Sequence, residues 1–198
     1  DAGTGARMAC AAAESAGNIY IALVENPNEM SVQVSRGGGR SFASQGRIRS
    51  ERTMVSPRLF IKEDNGLILY ITQESASEAQ EILSSAIYFT NSSDGGRSWT
   101  GLSRLVTEQE LTQNFLPHHT SYQGREYVVF QVLDITERPA TFQLYLKISQ
   151  DRGNSWGRAI PLTDFQDPEA PAGTSPKVFD NQRPYIAPIN GAVGLVWE

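Results

Sequence analysis

The 198-residue sequence predicts an all-β chain built from repeated four-stranded antiparallel sheets. Three observations predict it: an octapeptide that returns at one fixed interval, short apolar segments that recur four to an interval, and a turn-rich composition. Hydrophobic residues make up 39% and charged residues 20%, with 17 glycines and 10 prolines, which is the profile of a folded chain and not of a disordered tail. The formal net charge of −5 and the scattered basic residues argue against nucleic acid and anionic membrane surfaces as partners. Apolar stretches such as residues 19–24 fall far short of the roughly 18 residues of a membrane-crossing helix, so no membrane span is expected. Cys10 is the single cysteine, which excludes an internal disulfide. No set of metal ligands or cofactor motif stands out, so metal and cofactor are both expected to be none.

The repeat is specific. Ser92-Ser93-Asp94-Gly95-Gly96-Arg97-Ser98-Trp99 and Ser149-Gln150-Asp151-Arg152-Gly153-Asn154-Ser155-Trp156 share the pattern Ser-x-Asp-x-Gly-x-Ser-Trp. Residues 35–42 form a degraded copy in which Gly37 replaces the aspartate and Phe42 the tryptophan. The copies begin at Ser35, Ser92 and Ser149, 57 residues apart each time, so one structural unit occupies 57 residues. A short carboxylate can accept hydrogen bonds from nearby backbone N–H groups, and glycine takes a positive φ without steric cost, so the pattern suits a hairpin turn. The terminal aromatic can fold back and tie that turn to the sheet beneath it. The run of Arg36, Gly37, Gly38 and Gly39 lacks the Lys-Ser or Lys-Thr of a phosphate loop, and the degraded turn accounts for it better.

Between the turns, segments alternate or run apolar as half-buried or buried strands do. First strands are expected at residues 7–13, 57–62, 115–122 and 183–189, and second strands at 19–25, 67–73, 126–133 and 192–197. Third strands at 30–35, 84–91 and 142–149 lead into the octapeptides, and fourth strands at 102–106 and 158–162 leave them. Alanine propensity in residues 8–13 favours helix, but the repeat places a strand there. Residues 77–83 are expected to form a turn or two of helix, and Thr107-Glu108-Gln109-Glu110 has the form of a capping box.

The octapeptides resemble Asp boxes, also called BNR repeats, of sialidases and sialidase-like β-propellers. The resemblance covers nearly the whole chain through its period, while the two complete boxes carry the close match. It implies a β-propeller of four-stranded antiparallel blades, with boxes that join third to fourth strands and carry no catalysis. Ser92, Asp94, Gly96 and Trp99, and likewise Ser149, Asp151, Gly153 and Trp156, are therefore expected to be structural. Blades are expected at about residues 6–50, 57–106 and 115–163, with a half-blade at about 175–198. A fourth box would begin beyond Glu198, so about three and a half blades of a six- or seven-bladed ring are expected. The rest of the ring would come from the same longer protein or from another chain. Family habit points to an exported or cell-surface location.

The same resemblance implies an arginine triad for a substrate carboxylate, an aspartate acid/base, and a tyrosine nucleophile paired with a glutamate. Arg7 and Arg58 stand at the heads of first strands where a triad arginine belongs, but no aspartate lies between Arg7 and the first octapeptide, only Glu14, Glu25 and Glu29. Tyr127, Tyr185, Glu137 and Arg138 offer suitable chemistry without a spacing that selects a nucleophile pair. His118 and His119 follow Pro117 on a first strand, so one of them should face the channel, where imidazole can bind a ligand or move a proton. Arg183 is a further ligand-binding candidate. Tyr122, Phe130 and Trp197 could stack on sugars, although strand aromatics more often fill core. Asn91-Ser92-Ser93 is a formal glycosylation sequon. Two functions fit: a module binding a glycan or protein partner on its channel face, or an exo-sialidase-type glycoside hydrolase whose remaining site lies outside this chain.

Overall fold

A computed structural model describes residues 8–13, 17–77, 80–106, 113–134, 140–163, 168–173 and 180–198. The chain divides into two units, Asp1–Leu105 and Val106–Glu198. The described residues form fourteen strands and no helix.

Unit 1 holds two four-stranded antiparallel sheets. The first runs β1 (Met8–Ala13), β2 (Ile19–Asn26), β3 (Glu29–Ser35) and β4 (Ala43–Arg49), paired in that order. The second runs β5 (Met54–Ile61), β6 (Leu67–Ser77), β7 (Gln80–Ser92) and β8 (Ser103–Arg104), again in order. Burial alternates along β2, which has one face on the core, whereas residues 67–73 of β6 are buried without a break, as in a strand covered on both faces. Val24, Met30, Val32 and Ile48 from the first sheet pack with Met54, Leu59, Leu67 and Leu69 from the second in one apolar cluster. The first strands β1 and β5 lie side by side.

Unit 2 repeats the plan. A four-stranded sheet of β9 (Asn114–Tyr122), β10 (Arg125–Asp134), β11 (Thr141–Ser149) and β12 (Ile160–Pro161) is followed by a two-stranded sheet of β13 (Tyr185–Ile189) and β14 (Ala192–Val196). Val129, Leu144 and Ile186 form a buried core with Tyr127, Leu146, Val193 and Leu195 packed around it, and the first strands β9 and β13 are neighbours.

Two of the sequence expectations need correction. The helical turn at residues 77–83 is absent: Ser75 pairs with Ser84 and Ser77 with Gln80, so β6 and β7 run on as a long hairpin. Ladder pairing with a packed neighbour outweighs the helix propensity of Ser, Glu, Ala and Gln. The fourth strands of the second and third sheets are shorter than expected, two residues each. Asn91 of the sequon is buried at the end of β7, which closes it to a glycosylating enzyme in the folded chain. The capping-box segment at residues 107–110 lies outside the described residues.

All three octapeptides adopt one turn. The fourth and fifth positions take positive φ in each copy: 65° and 87° at Gly38 and Gly39, 71° and 86° at Gly95 and Gly96, 62° and 79° at Arg152 and Gly153. The leading serine acts alike in all three, its hydroxyl accepting the backbone N–H of Gly39 at 2.9 Å, of Gly96 at 2.8 Å and of Gly153 at 2.8 Å. Trp99 donates from Nε1 to the Gly96 carbonyl at 3.0 Å and packs on the unit 1 core. Phe42, its counterpart in the degraded copy, is 38% exposed. The second turn sits so close to β4 that a Cβ added at Gly46 would lie 2.3 Å from the Gly96 carbonyl oxygen.

Candidate functional site

The two complete octapeptides engage their carboxylates locally. Asp94 Oδ1 accepts the backbone N–H of Arg97 at 2.9 Å and of Ser98 at 3.0 Å, and its Oδ2 accepts the Ser98 hydroxyl at 2.5 Å. Asp151 repeats this with the Ser155 N–H at 2.9 Å and the Ser155 hydroxyl at 2.5 Å, while Ser92 and Ser149 each donate to the aspartate two residues on. These bonds stabilise the charged form. The Ser155 hydroxyl, then the Ser149 hydroxyl and the Ser155 N–H, hold Asp151 at about 2, and the Ser98 hydroxyl and N–H hold Asp94 well below the usual carboxylate range. A carboxylate saturated by its own turn is a poor proton carrier near neutrality. Both aspartates serve the turn.

A second feature recurs on the first strands and points elsewhere. Ser56, Leu116 and Arg183 have φ of 50°, 47° and 50°, and each precedes a buried proline: Pro57, Pro117 and Pro184. In β5 the ladder shifts between Val55 and Arg58, and in β9 it shifts at the matching place, so both are bulged strands. A left-handed backbone on Ser, Leu or Arg costs energy and persists only where packing enforces it, and bulges re-aim the side chain that follows. In β5 and β9 that side chain is Arg58 and His118, and Tyr185 follows the same left-handed residue and proline where β13 begins.

Register fixes their equivalence. Arg58 lies opposite Tyr70 and Phe89, three rows from the row that ends in Ser92. His118 lies opposite Val129 and Leu146, three rows from the row that ends in Ser149. Three rows are about 10 Å at the ordinary rise of a strand. The re-aimed residues thus sit away from the octapeptide end of each sheet.

Within unit 2 the structure brings His118 and Tyr185 together. The His118 and Tyr185 rings lie 4.2 Å apart between centroids, and Nδ1 of His118 accepts the Ile186 N–H at 3.3 Å. Tyr185 is 56% exposed. Arg183 bonds through its backbone N–H to Gln131 Oε1 at 3.1 Å, and its guanidinium reaches Glu198 at 2.7 Å in an exposed pair of little energetic weight. His119 takes the opposite face of β9. It is buried with Glu126, its Nε2 2.9 Å from Oε2, while Ser121 donates to the same carboxylate oxygen and Trp156 meets the imidazole edge-on at 6.2 Å. In unit 1, Arg58 is exposed on its bulge. Arg7, Glu137 and Arg138 lie outside the described residues. Phe130 is core, and Trp197 is exposed with Nε1 donating to Asn181 at 2.9 Å. Among the described residues no three His, Cys, Asp or Glu side chains gather as metal ligands, and no helix is long and apolar enough to cross a membrane.

Sequence reasoning passed over the bulges and Glu126. The signal for the two bulges was present as Ser-Pro-Arg in β5 and Leu-Pro-His in β9, with Arg-Pro-Tyr repeating the pattern where β13 begins. Glu126 opens a second strand where sheet two has Leu67, and only the pairing shows that it meets His119.

No protein-family model and no curated protein matches the chain. Solved structures match in fold. A protein of unknown function from Dyadobacter fermentans is 14% identical with a TM-score of 0.71, over 98% of this chain and 62% of that one. The Hadza microbial sialidase Hz136 is 11% identical with a TM-score of 0.66, over 98% of this chain and 42% of that one. The GH93 α-L-arabinofuranosidase of Fusarium graminearum, solved with arabinobiose, is 15% identical with a TM-score of 0.59, over 82% and 51%. The chain therefore spans between two fifths and just under two thirds of these structures. At such identity the likeness shows a shared β-propeller type of fold and nothing finer.

Proposed function

We propose that this chain is about three and a half blades of a sialidase-like Asp-box propeller, and that unit 2 binds a glycan or protein partner where the heads of β9 and β13 bring His118 and Tyr185 together. The blades are residues 6–50, 57–106 and 115–163 with a half-blade at 175–198, in a ring of six or seven. The observation that carries the reading is the triple recurrence of a left-handed residue and a buried proline ahead of Arg58, His118 or Tyr185. In unit 2 an imidazole and a phenol supply hydrogen bonds and stacking surface, chemistry that polyhydroxylated ligands require. Fold neighbours add support: one was solved with arabinobiose and another is a sialidase. Among the described residues β13 and β14 pair with no third strand, and Ile189, Val196 and Trp197 are exposed there; the remainder of the ring would come from the same longer protein or another chain.

Calorimetric titration of the full-length protein with arabinobiose and with 3′-sialyllactose tests this. His118→Ala and Tyr185→Ala should each weaken binding about tenfold, the loss of one hydrogen bond or one stacked ring. Unaltered affinity in both variants would remove the reading. The second reading, an exo-sialidase-type hydrolase with Arg7 or Arg58 as one carboxylate-binding arginine, rests on the exposed Arg58 at a first-strand bulge. Release of the fluorophore from a fluorogenic sialoside, abolished by Arg58→Ala, would favour it.

A further inference from the structure

The contact between His118 and Ile186 joins β9 to β13. The β13–β14 hairpin turns through Asn190 and Gly191, with Ile189 paired to Ala192. Pairs flanking a two-residue turn exchange both backbone hydrogen bonds, and the pattern then alternates along the ladder. Ala187 with Gly194 and Tyr185 with Val196 are therefore bonded pairs, and Ile186 and Pro188 direct their backbone groups away from β14. Pro188 suits that side because it has no N–H to lose. Ile186 is buried, so its outward N–H needs an acceptor, and His118 Nδ1 is that acceptor at 3.3 Å.

We propose that His118 is a pH-sensitive clasp: the neutral imidazole holds β13, and with it the exposed Tyr185 ring, against β9, and the imidazolium releases it. An acceptor Nδ1 carries no proton, so the bond exists only with the neutral ring. In the imidazolium both nitrogens are donors, and Nδ1–H would face the Ile186 N–H. Tyr185 from β13 meets this imidazole, and Tyr127 from β10 packs on the Val129, Leu144 and Ile186 core beside it. Elsewhere in unit 2, Arg183 pairs with Glu198, and Asp180 accepts the Phe142 N–H of β11. His119 and Glu126 occupy the other face of β9. Imidazole is the side chain whose charge change ordinarily falls in a window between about pH 5 and about pH 8. Because folding relies on the neutral form, the bond's contribution is complete above that window and is lost as pH falls through it.

This inference deepens the proposed site by giving it a regulation, yet its test involves no ligand and can fail independently. NMR-detected amide exchange on the full chain, corrected for intrinsic rate, follows the protection of Ile186, with the Val129 amide of β10 as reference. Between about pH 7.5 and about pH 5, which fall on either side of imidazole's ordinary pKa, Ile186 protection should fall at least about fivefold, the equivalent of one buried N–H left without its acceptor. Val129 should hold. In His118→Asn the side-chain oxygen stands near the Nδ1 position, so Ile186 should stay protected at both pH values, while His118→Phe should be unprotected at both. Equal wild-type protection at the two pH values, a parallel fall in Val129, or a fall in His118→Asn matching the wild type would overturn the clasp. So would wild-type protection in His118→Phe.

Discussion

Gly37 offers a way to add a missing part to a turn that is otherwise assembled. The degraded octapeptide already has the backbone of the complete copies, the leading Ser35 and its bond to Gly39, and the Ser41 that corresponds to Ser98 and Ser155. What it lacks is the carboxylate. Gly37 does not have a positive φ, and a Cβ there would meet nothing within 4 Å, so Gly37→Asp is free of strain. In the third sheet the equivalent Asp151 accepts two bonds from Ser155 and one from Ser149. The turn is exposed and water competes for the same donors, so the set should be worth about 1 kcal/mol, as for a side-chain cap on a helix end. Replacing glycine adds about 0.4–1 kcal/mol through the unfolded chain. Gly37→Ala carries that second effect alone and is the control. In urea unfolding near neutral pH, Gly37→Asp should exceed Gly37→Ala by about 1 kcal/mol, or about 2–4 °C in Tm for a chain of this size. The excess should vanish at a pH low enough to protonate the new carboxylate. Equal stability of the two variants at neutral pH would refute the view that the aspartate clips the turn.

Gly46→Ala should destabilise unit 1 by about 2–3 kcal/mol in the same assay, because its Cβ would press on the backbone oxygens of Gly96 and Arg97, which cannot swing aside; a loss under about 0.5 kcal/mol would mean that the turn does not need its close approach to β4. Asp151→Ala should cost about 1 kcal/mol near neutrality, where its lost bonds fall to water. Because the folded carboxylate is held at about 2 against an ordinary 3.8, its contribution is complete above that ordinary value and lost as pH falls toward about 2. Urea curves for the two proteins should therefore converge on acidification, and a gap that persists would place the effect outside ionisation.

Where local bonds make the structure, the sequence was enough. The octapeptide turn closes on itself within eight residues, through a serine, an aspartate and two positive-φ positions, so its pattern could be recognised without coordinates, and so could the strands its period sets out. Residues 77–83 read as helix because their intrinsic preference is helical; Ser75 facing Ser84 made them strand. The candidate site lay still further from view. Pro57, Pro117 and Pro184 were visible, but the left-handed residue before each and the new aim of the residue after it exist only once a strand has a neighbour to bulge against. His118 and His119 look alike as adjacent letters. Strand alternation sends one to Tyr185 and Ile186 and the other to Glu126 and Trp156. Sequence by itself determined the repeat, the strand order within each sheet and the clipped turns, because those depend on interactions a few residues apart. Tertiary structure alone decided which side chains meet across the sheets, because partners such as His118 and Ile186, 68 residues apart, are joined by packing and not by any pattern along the chain.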